Sequence, residues 1–65
     1  MEDNNVIKYL QQMEREFVAS AKDSVKFVDG NKSAGTRIRK YMQNIKSLAQ
    51  DVRKEIQNQK NSVLA

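Results

Sequence analysis

The sequence predicts an all-α protein in which two long helices fold back on each other as an antiparallel hairpin. Its 65 residues contain no proline and are rich in residues that favour helices, such as Gln, Lys, Glu, Arg and Ala. One strong break interrupts them, the segment Asp-Gly-Asn at 29–31. These observations predict a single domain with helix 1 at about 3–28, a turn at 29–31 and helix 2 at about 32–61.

Helix 1 has a polar start and an apolar stripe. Asp3 or Asn4 can cap its first turn by accepting hydrogen bonds from free backbone N–H groups. Apolar residues then recur at helical spacing, and the predicted core members are Leu10, Met13 and Phe17. Ser20 and Ser24 stand where apolar residues would be expected, so the half near the turn should be thinly packed.

The turn and helix 2 have clear local signals. Gly30 suits the left-handed position just past a helix end, and Asn31 or Ser33 can cap the next helix. Helix 2 then carries an apolar stripe on neighbouring heptad positions. The predicted core members are Ile38, Tyr41, Ile45, Leu48, Val52 and Ile56.

The chain is short for a protein that must be stable alone. It has no cysteine for disulfides and no histidine for the usual metal sites. The apolar stripes are also wider than a single helix–helix contact can cover. These observations predict a homodimer in which two hairpins form a four-helix bundle or a coiled coil.

Several function classes can be set aside from the sequence. No nucleophile is accompanied by a histidine base, and no glycine-rich phosphate loop is present, so we expect no enzyme, no cofactor and no metal. No apolar run approaches the ~20 residues of a membrane span. The start Met-Glu-Asp-Asn-Asn is unlike a signal peptide, so the expected location is the cytoplasm.

Charge is distributed unevenly along the chain. Residues 1–29 hold four cations and six anions, a net of −2, whereas residues 30–65 hold eight cations and two anions, a net of +6. Most of these cations occupy heptad positions b and c, which lie on either side of position f and opposite the apolar stripe of helix 2. We call this set the cation strip: Lys32, Arg39, Lys40, Lys46, Arg53, Lys54 and Lys60. Thr36, Gln43, Gln50 and Gln57 lie between them, and no acid does.

A long strip of one sign fits a linear polyanion such as duplex DNA, whose phosphates bind cations with release of counterions. The predicted DNA-binding residues are the seven cations of the strip and Arg37. RNA remains a possible second ligand. The alternatives are an ordinary solvated face, or a helical interaction module whose basic face binds an acidic protein partner.

Gly35 lies inside helix 2 and costs up to ~1 kcal/mol of helix stability relative to alanine. The preferred explanation is close approach of helix 1 near Phe27, and the second is close approach of a DNA backbone.

Two segments also resemble a known family. The segments GNKSAGTRIRK and LAQDVRKE are similar to the core of the chlamydial linker-histone-like proteins and their bacterial relatives. The matching residues are Gly30, Asn31, Lys32, Ala34, Arg37, Arg39, Leu48, Arg53 and Lys54. The resemblance implies a helical-hairpin, nucleoid-associated protein that compacts DNA with little sequence preference.

This sequence departs from the family pattern in two respects. Many members carry a Lys- and Ala-rich tail that binds DNA, and these 65 residues contain no such segment. Ser33 stands where alanine is usual. The cation strip is therefore expected to supply the affinity itself.

Overall fold

The structure is a computed structural model that describes residues 4–64, with side chains through Asn61. Helix α1 spans Asn5–Val28 and helix α2 spans Lys32–Leu64, and the described residues contain no strand. The helices pack against each other along an elongated molecule of 54 × 19 × 11 Å. The predicted all-α hairpin is confirmed.

Helix α1 begins and ends with hydrogen bonds that its sequence supplies. The Asn4 side chain accepts from the Val6 N–H at 2.9 Å, so Asn4 is the cap; Asp3 lies outside the described residues. At the other end, Gly30 N–H donates to the Phe27 carbonyl and Asn31 N–H to the Lys26 carbonyl, both at 3.0 Å. This is the Schellman pattern, which ends a helix by satisfying its last carbonyls.

The turn depends on Gly30 and Asn31. Gly30 has φ +105°, a left-handed conformation that residues with a Cβ adopt at a cost. Immediately afterwards, the Asn31 side-chain oxygen accepts from the Ala34 N–H at 3.1 Å and caps α2. The predicted turn chemistry is therefore confirmed, and it sets the two helices antiparallel.

Near the turn, the helix interface is made of small and polar residues. Ala34 is fully buried, and Ser20 and Asp23 are nearly so. The Ser20 hydroxyl donates to the Glu16 carbonyl of its own helix at 2.9 Å, which satisfies it without a partner on α2. Small and polar side chains therefore occupy the buried positions in this half, where apolar residues would be expected.

Three polar contacts join the helices from the turn to the open end. Near the turn, Arg37 pairs with Asp23. Midway, the Asn44 amide donates to Glu16 at 3.1 Å, and at the open end the Asn4 and Gln59 side-chain amides exchange hydrogen bonds of 3.1 and 3.0 Å. Each contact satisfies a half-buried polar group, and together they fix the register of the hairpin.

The apolar stripes are only partly covered in this hairpin. Of the predicted core, Leu48 is buried at 7% exposure. Met13, Ile38, Tyr41, Ile45 and Val52 are half-buried. Leu10, Phe17 and Ile56 keep exposures of 49%, 58% and 43%. One hairpin therefore leaves much of its predicted core in contact with solvent.

Neither described helix has the length and hydropathy of a membrane span.

Candidate nucleic-acid interface

All seven cations of the strip are exposed to solvent. They recur along α2 from Lys32 to Lys60, a distance of about 42 Å at 1.5 Å per residue. Helical periodicity places them on one side, because the two heptad positions that hold the strip lie on either side of the position of Thr36, Gln43, Gln50 and Gln57. The result is a basic surface that follows α2 from Lys32 to Lys60.

Uncharged hydrogen-bonding residues fill the spaces in the strip. Thr36, Gln43, Gln50 and Gln57 are exposed between the cations. Gln57 Nε2 donates to Asn61 Oδ1 at 3.3 Å, and Asn61 lies one helical turn further along the same surface. Such side chains can add hydrogen bonds to phosphate or sugar oxygens without reading base sequence.

The acids of α2 lie away from the strip. Asp51 and Glu55 are half-buried, and Glu55 accepts a hydrogen bond from Gln59 at 3.3 Å. Among the described residues, no cation of the strip lies within ion-pair distance of a carboxylate. The positive charge of the cation strip is therefore available to an external anion.

Arg37 differs from the other predicted DNA-binding residues because it faces α1. Its Nε donates to Asp23 Oδ2 and its Nη2 to Asp23 Oδ1, both at 2.9 Å, in a two-pronged ion pair. The Asp23 side chain is 8% exposed and that of Arg37 is 43% exposed. Two of the five N–H donors of this guanidinium are thus used within the hairpin.

The ion pair shifts the pKa values of both groups. Hydrogen bonds from Arg37 lower the pKa of Asp23 below its ordinary 3.8, while partial desolvation opposes that shift. The same hydrogen bonds raise the pKa of Arg37. Both shifts favour the charged forms, so the pair holds α1 against α2 as ions.

Gly35 is explained by the close approach of Phe27 on α1, as the sequence predicts. A Cβ at this position would lie 2.7 Å from Phe27 Cε1 and 2.8 Å from Phe27 Cδ1, which is closer than carbon atoms can pack. The missing side chain therefore makes room for the aromatic ring of α1. Phe27 nevertheless stays 52% exposed.

A groove opens beside this ring at the end of the strip. Its volume is about 420 Å³ and its surface is mostly apolar. The lining residues are Phe27, Lys32, Gly35, Thr36, Ile38 and Arg39. Two of the seven cations of the strip thus border the groove, which joins the hairpin tip to the basic edge.

The pairing of Arg37 with Asp23 was not predicted from the sequence. A signal was present, since Arg37 and Asn44 are seven residues apart and lie next to the apolar stripe rather than opposite it. Asp23 also lies beside a mainly apolar face of helix 1. An acid and a base in those positions of an antiparallel hairpin are candidates for an ion pair between the helices.

Within residues 4–61, no three potential metal-binding side chains of His, Cys, Asp or Glu lie together.

Comparison with known proteins gives a family assignment. No individual curated protein and no solved structure matches the chain significantly. The family model for histone H1-like protein Hc1 matches residues 7–62, which includes almost all of α1 and α2 and the whole cation strip. The resemblance inferred from the turn and the basic segments is thereby confirmed. The chain belongs to the family of histone H1-like protein Hc1, which comprises histone-like DNA-binding proteins and not enzymes.

Proposed function

We propose that the protein is an architectural nucleoid protein that binds duplex DNA without sequence preference, through the cation strip of α2. It works as a homodimer that bridges or compacts DNA. Family membership supports DNA binding and association with the nucleoid. The role of the strip is supported by the exposure of its seven cations, none of which lies within ion-pair distance of a carboxylate among the described residues.

The dimensions of the strip fit the backbone of a duplex. Duplex DNA carries one charge per ~1.7 Å of axis, so about 42 Å of helix runs beside many phosphates. The seven exposed cations have long, flexible side chains, so each can reach a phosphate oxygen. If all seven do, the logarithm of the binding constant falls with the logarithm of salt concentration at a slope of about −6.

Low sequence preference follows from the residue types in the strip. Lysine amines are flexible point charges, and the intervening glutamines and threonine can bond phosphate or sugar. Five of the seven cations of the strip are lysines, and Arg39 and Arg53 are its two arginines, while Arg37 is engaged with Asp23. Contact with the backbone is therefore the main mode of binding.

Dimerisation is supported by the apolar residues that the hairpin leaves exposed. On α1, Leu10, Phe17 and Val28 lie on nearly the same side of the helix, with exposures of 49%, 58% and 82%. Burying such a stripe against a second copy would add the apolar surface that a chain of this size lacks. A dimer has two strips, and two strips can hold two duplex segments.

The test is titration of a labelled random-sequence duplex at several salt concentrations, followed by fluorescence anisotropy. We expect micromolar or weaker binding at physiological salt, similar affinity for unrelated sequences, and a steep loss as salt rises. An acidic polypeptide of similar length serves as the competitor that represents a protein partner.

A charge-matched pair of variants tests the position of the interface. Lys46→Gln with Arg53→Gln removes two cations of the strip, and Lys8→Gln with Lys22→Gln removes two exposed cations of α1. The strip variant should make the salt slope shallower by about two units, and the α1 variant should change it much less. Equal effects would show that only net charge matters, and absence of DNA binding at low salt would contradict the proposed function.

A further inference from the structure

The groove at the hairpin tip has a chemistry that the cation strip lacks. Phe27 and Ile38 give it an apolar floor, and Thr36 supplies a hydroxyl. Its volume of about 420 Å³ is within the range of small-molecule sites, ~300–1,000 Å³. An extended phosphate backbone uses none of the apolar surface, so duplex coating leaves the groove without a role.

The aromatic ring in the groove is held but not covered. Its Cδ1–Cε1 edge lies against the backbone of Gly35, where no side chain can intervene. Phe27 is nevertheless 52% exposed. An aromatic ring with a free surface is a platform on which a flat, apolar group can stack.

The charge of the groove limits what that flat group can be. Lys32 and Arg39 are both exposed lining residues, and the lining contains no carboxylate. These two cations are seven residues apart, about 10 Å along the helix axis. A ligand that fits must therefore combine a stacking surface with anionic groups on either side of it.

We propose that the groove takes an unpaired nucleobase, which stacks on Phe27 while Lys32 and Arg39 hold the phosphates on either side. A base inside a duplex cannot reach the ring because its neighbours cover both of its faces. An extruded, bulged or single-stranded base can do so. The protein thus prefers nucleic acid that contains an unpaired base to an intact duplex.

This inference rests on the proposed function, because the strip must bring the backbone to the tip. It adds a selectivity that phosphate contacts alone do not give. Stacking on an aromatic side chain strengthens single-strand binding and tolerates any base sequence. DNA and RNA both offer the required base and phosphates, and the test includes an arm for each.

The experiment compares an intact DNA duplex with the same duplex carrying one unpaired adenine, and repeats the comparison with RNA. The measured quantity is the ratio of the two affinities at fixed salt, for the wild type and for Phe27→Leu. We expect at least about five-fold preference for the unpaired base in the wild type, in one or both nucleic acids, and almost none in the variant. Affinity for the intact duplex should be similar in both proteins.

Phe17→Leu is the matched control, because Phe17 lies on the same helix, has a similar exposure of 58% and is outside the groove, and leucine keeps the proposed dimer surface apolar. Its preference ratio should equal that of the wild type. Gly35→Ala is a second variant, since its Cβ would displace the ring while leaving every cation in place. It should lose the preference, as Phe27→Leu does.

A direct measurement on the wild type tests the stacking even if the variants fail to fold. With a fluorescent adenine analogue at the unpaired position, stacking on the ring should change its emission upon binding. Equal affinity for intact and bulged DNA and RNA overturns the inference and leaves the proposed function standing. A preference that survives Phe27→Leu, or is lost equally in Phe17→Leu, also overturns it. Failure to bind any nucleic acid overturns both.

Discussion

Asp23 and Arg37 form a two-pronged ion pair between the helices near the turn. The pair has two hydrogen bonds of 2.9 Å, and its carboxylate is almost completely removed from solvent. A carboxylate whose folded pKa is depressed stabilises the fold above its unfolded pKa, and this contribution is lost as pH falls through the folded pKa. The Asp23 pKa is lowered from 3.8, so the loss begins below about pH 4.

We therefore predict that Asp23→Asn lowers the melting temperature at neutral pH, and that the difference from the wild type shrinks as pH falls below about 4. Thermal unfolding followed by circular dichroism from neutral to acidic pH measures this difference. Glu14→Gln is the control, because Glu14 is exposed and forms no ion pair among the described residues. A difference that stays constant through the acidic range would show that the ionised pair does not hold the hairpin.

Some residue roles could be predicted from the sequence because they depend on local backbone geometry. Gly30 and Asn31 act within one turn of their own positions, so their sequence context is sufficient. Gly35 was also predictable, because a glycine inside a helix needs a reason and Phe27 was the large side chain nearby. Arg37 was not, since its role depends on which side of α1 carries Asp23. Whether Asp23 faces α2 is set by how the two helices pack against each other.

At the scale of the elements, α2 carries positive charge where its own dipole is unfavourable. Its first turn contains no acid, and Lys32 begins the helix. Cations at a helix N-terminus oppose the macrodipole by roughly 0.3–1 kcal/mol each, although exposed N–H groups there attract phosphate. This placement favours ligand binding over stability, and we therefore expect the tip end of the strip to be the stronger site.

The prediction compares two pairs of cations that are two heptads apart on the same face. Arg39→Gln with Lys40→Gln alters the tip, and Arg53→Gln with Lys54→Gln is its matched control with equal charge change. All four side chains are exposed, so neither double variant disturbs the hairpin contacts. We expect the tip variant to lose more DNA affinity and to keep equal or higher thermal stability.

Anisotropy titrations and melting curves on the same preparations measure both effects. Arg37 is left out of the tip pair because its loss would also break the contact with Asp23. If the distal variant binds DNA more weakly than the tip variant, a uniform strip describes the interface better than a strong tip.

At the scale of the whole molecule, the amount of apolar surface was predictable but its distribution was not. Leu48 and Phe17 have the same apolar character in the sequence, yet Leu48 is 7% exposed and Phe17 is 58% exposed. The difference arises because Ser20, Asp23 and Ala34 occupy the helix interface near the turn. The small, polar contact between the helices turns part of the apolar stripe of α1 outward.

The dimer proposal gives opposite predictions for these two positions. Leu48→Asp places an unpaired charge inside the hairpin, so the chain should unfold at every concentration. Phe17→Glu places its charge on the outward surface, so the hairpin contacts should survive while the second copy is lost. Gln12→Glu is the control, since it adds the same charge at an exposed position on another side of α1.

Sedimentation equilibrium and melting at several concentrations distinguish these outcomes. The wild type and Gln12→Glu should be dimers whose melting temperature rises with concentration. Phe17→Glu should be monomeric, with lower helical stability that does not depend on concentration. Because one hairpin carries one cation strip, this variant should still bind a single duplex at low salt but should no longer bring two labelled duplexes together. A wild-type protein that is a cooperatively folded monomer at micromolar concentration would contradict the dimer, and bridging by Phe17→Glu would place the second DNA contact within one chain.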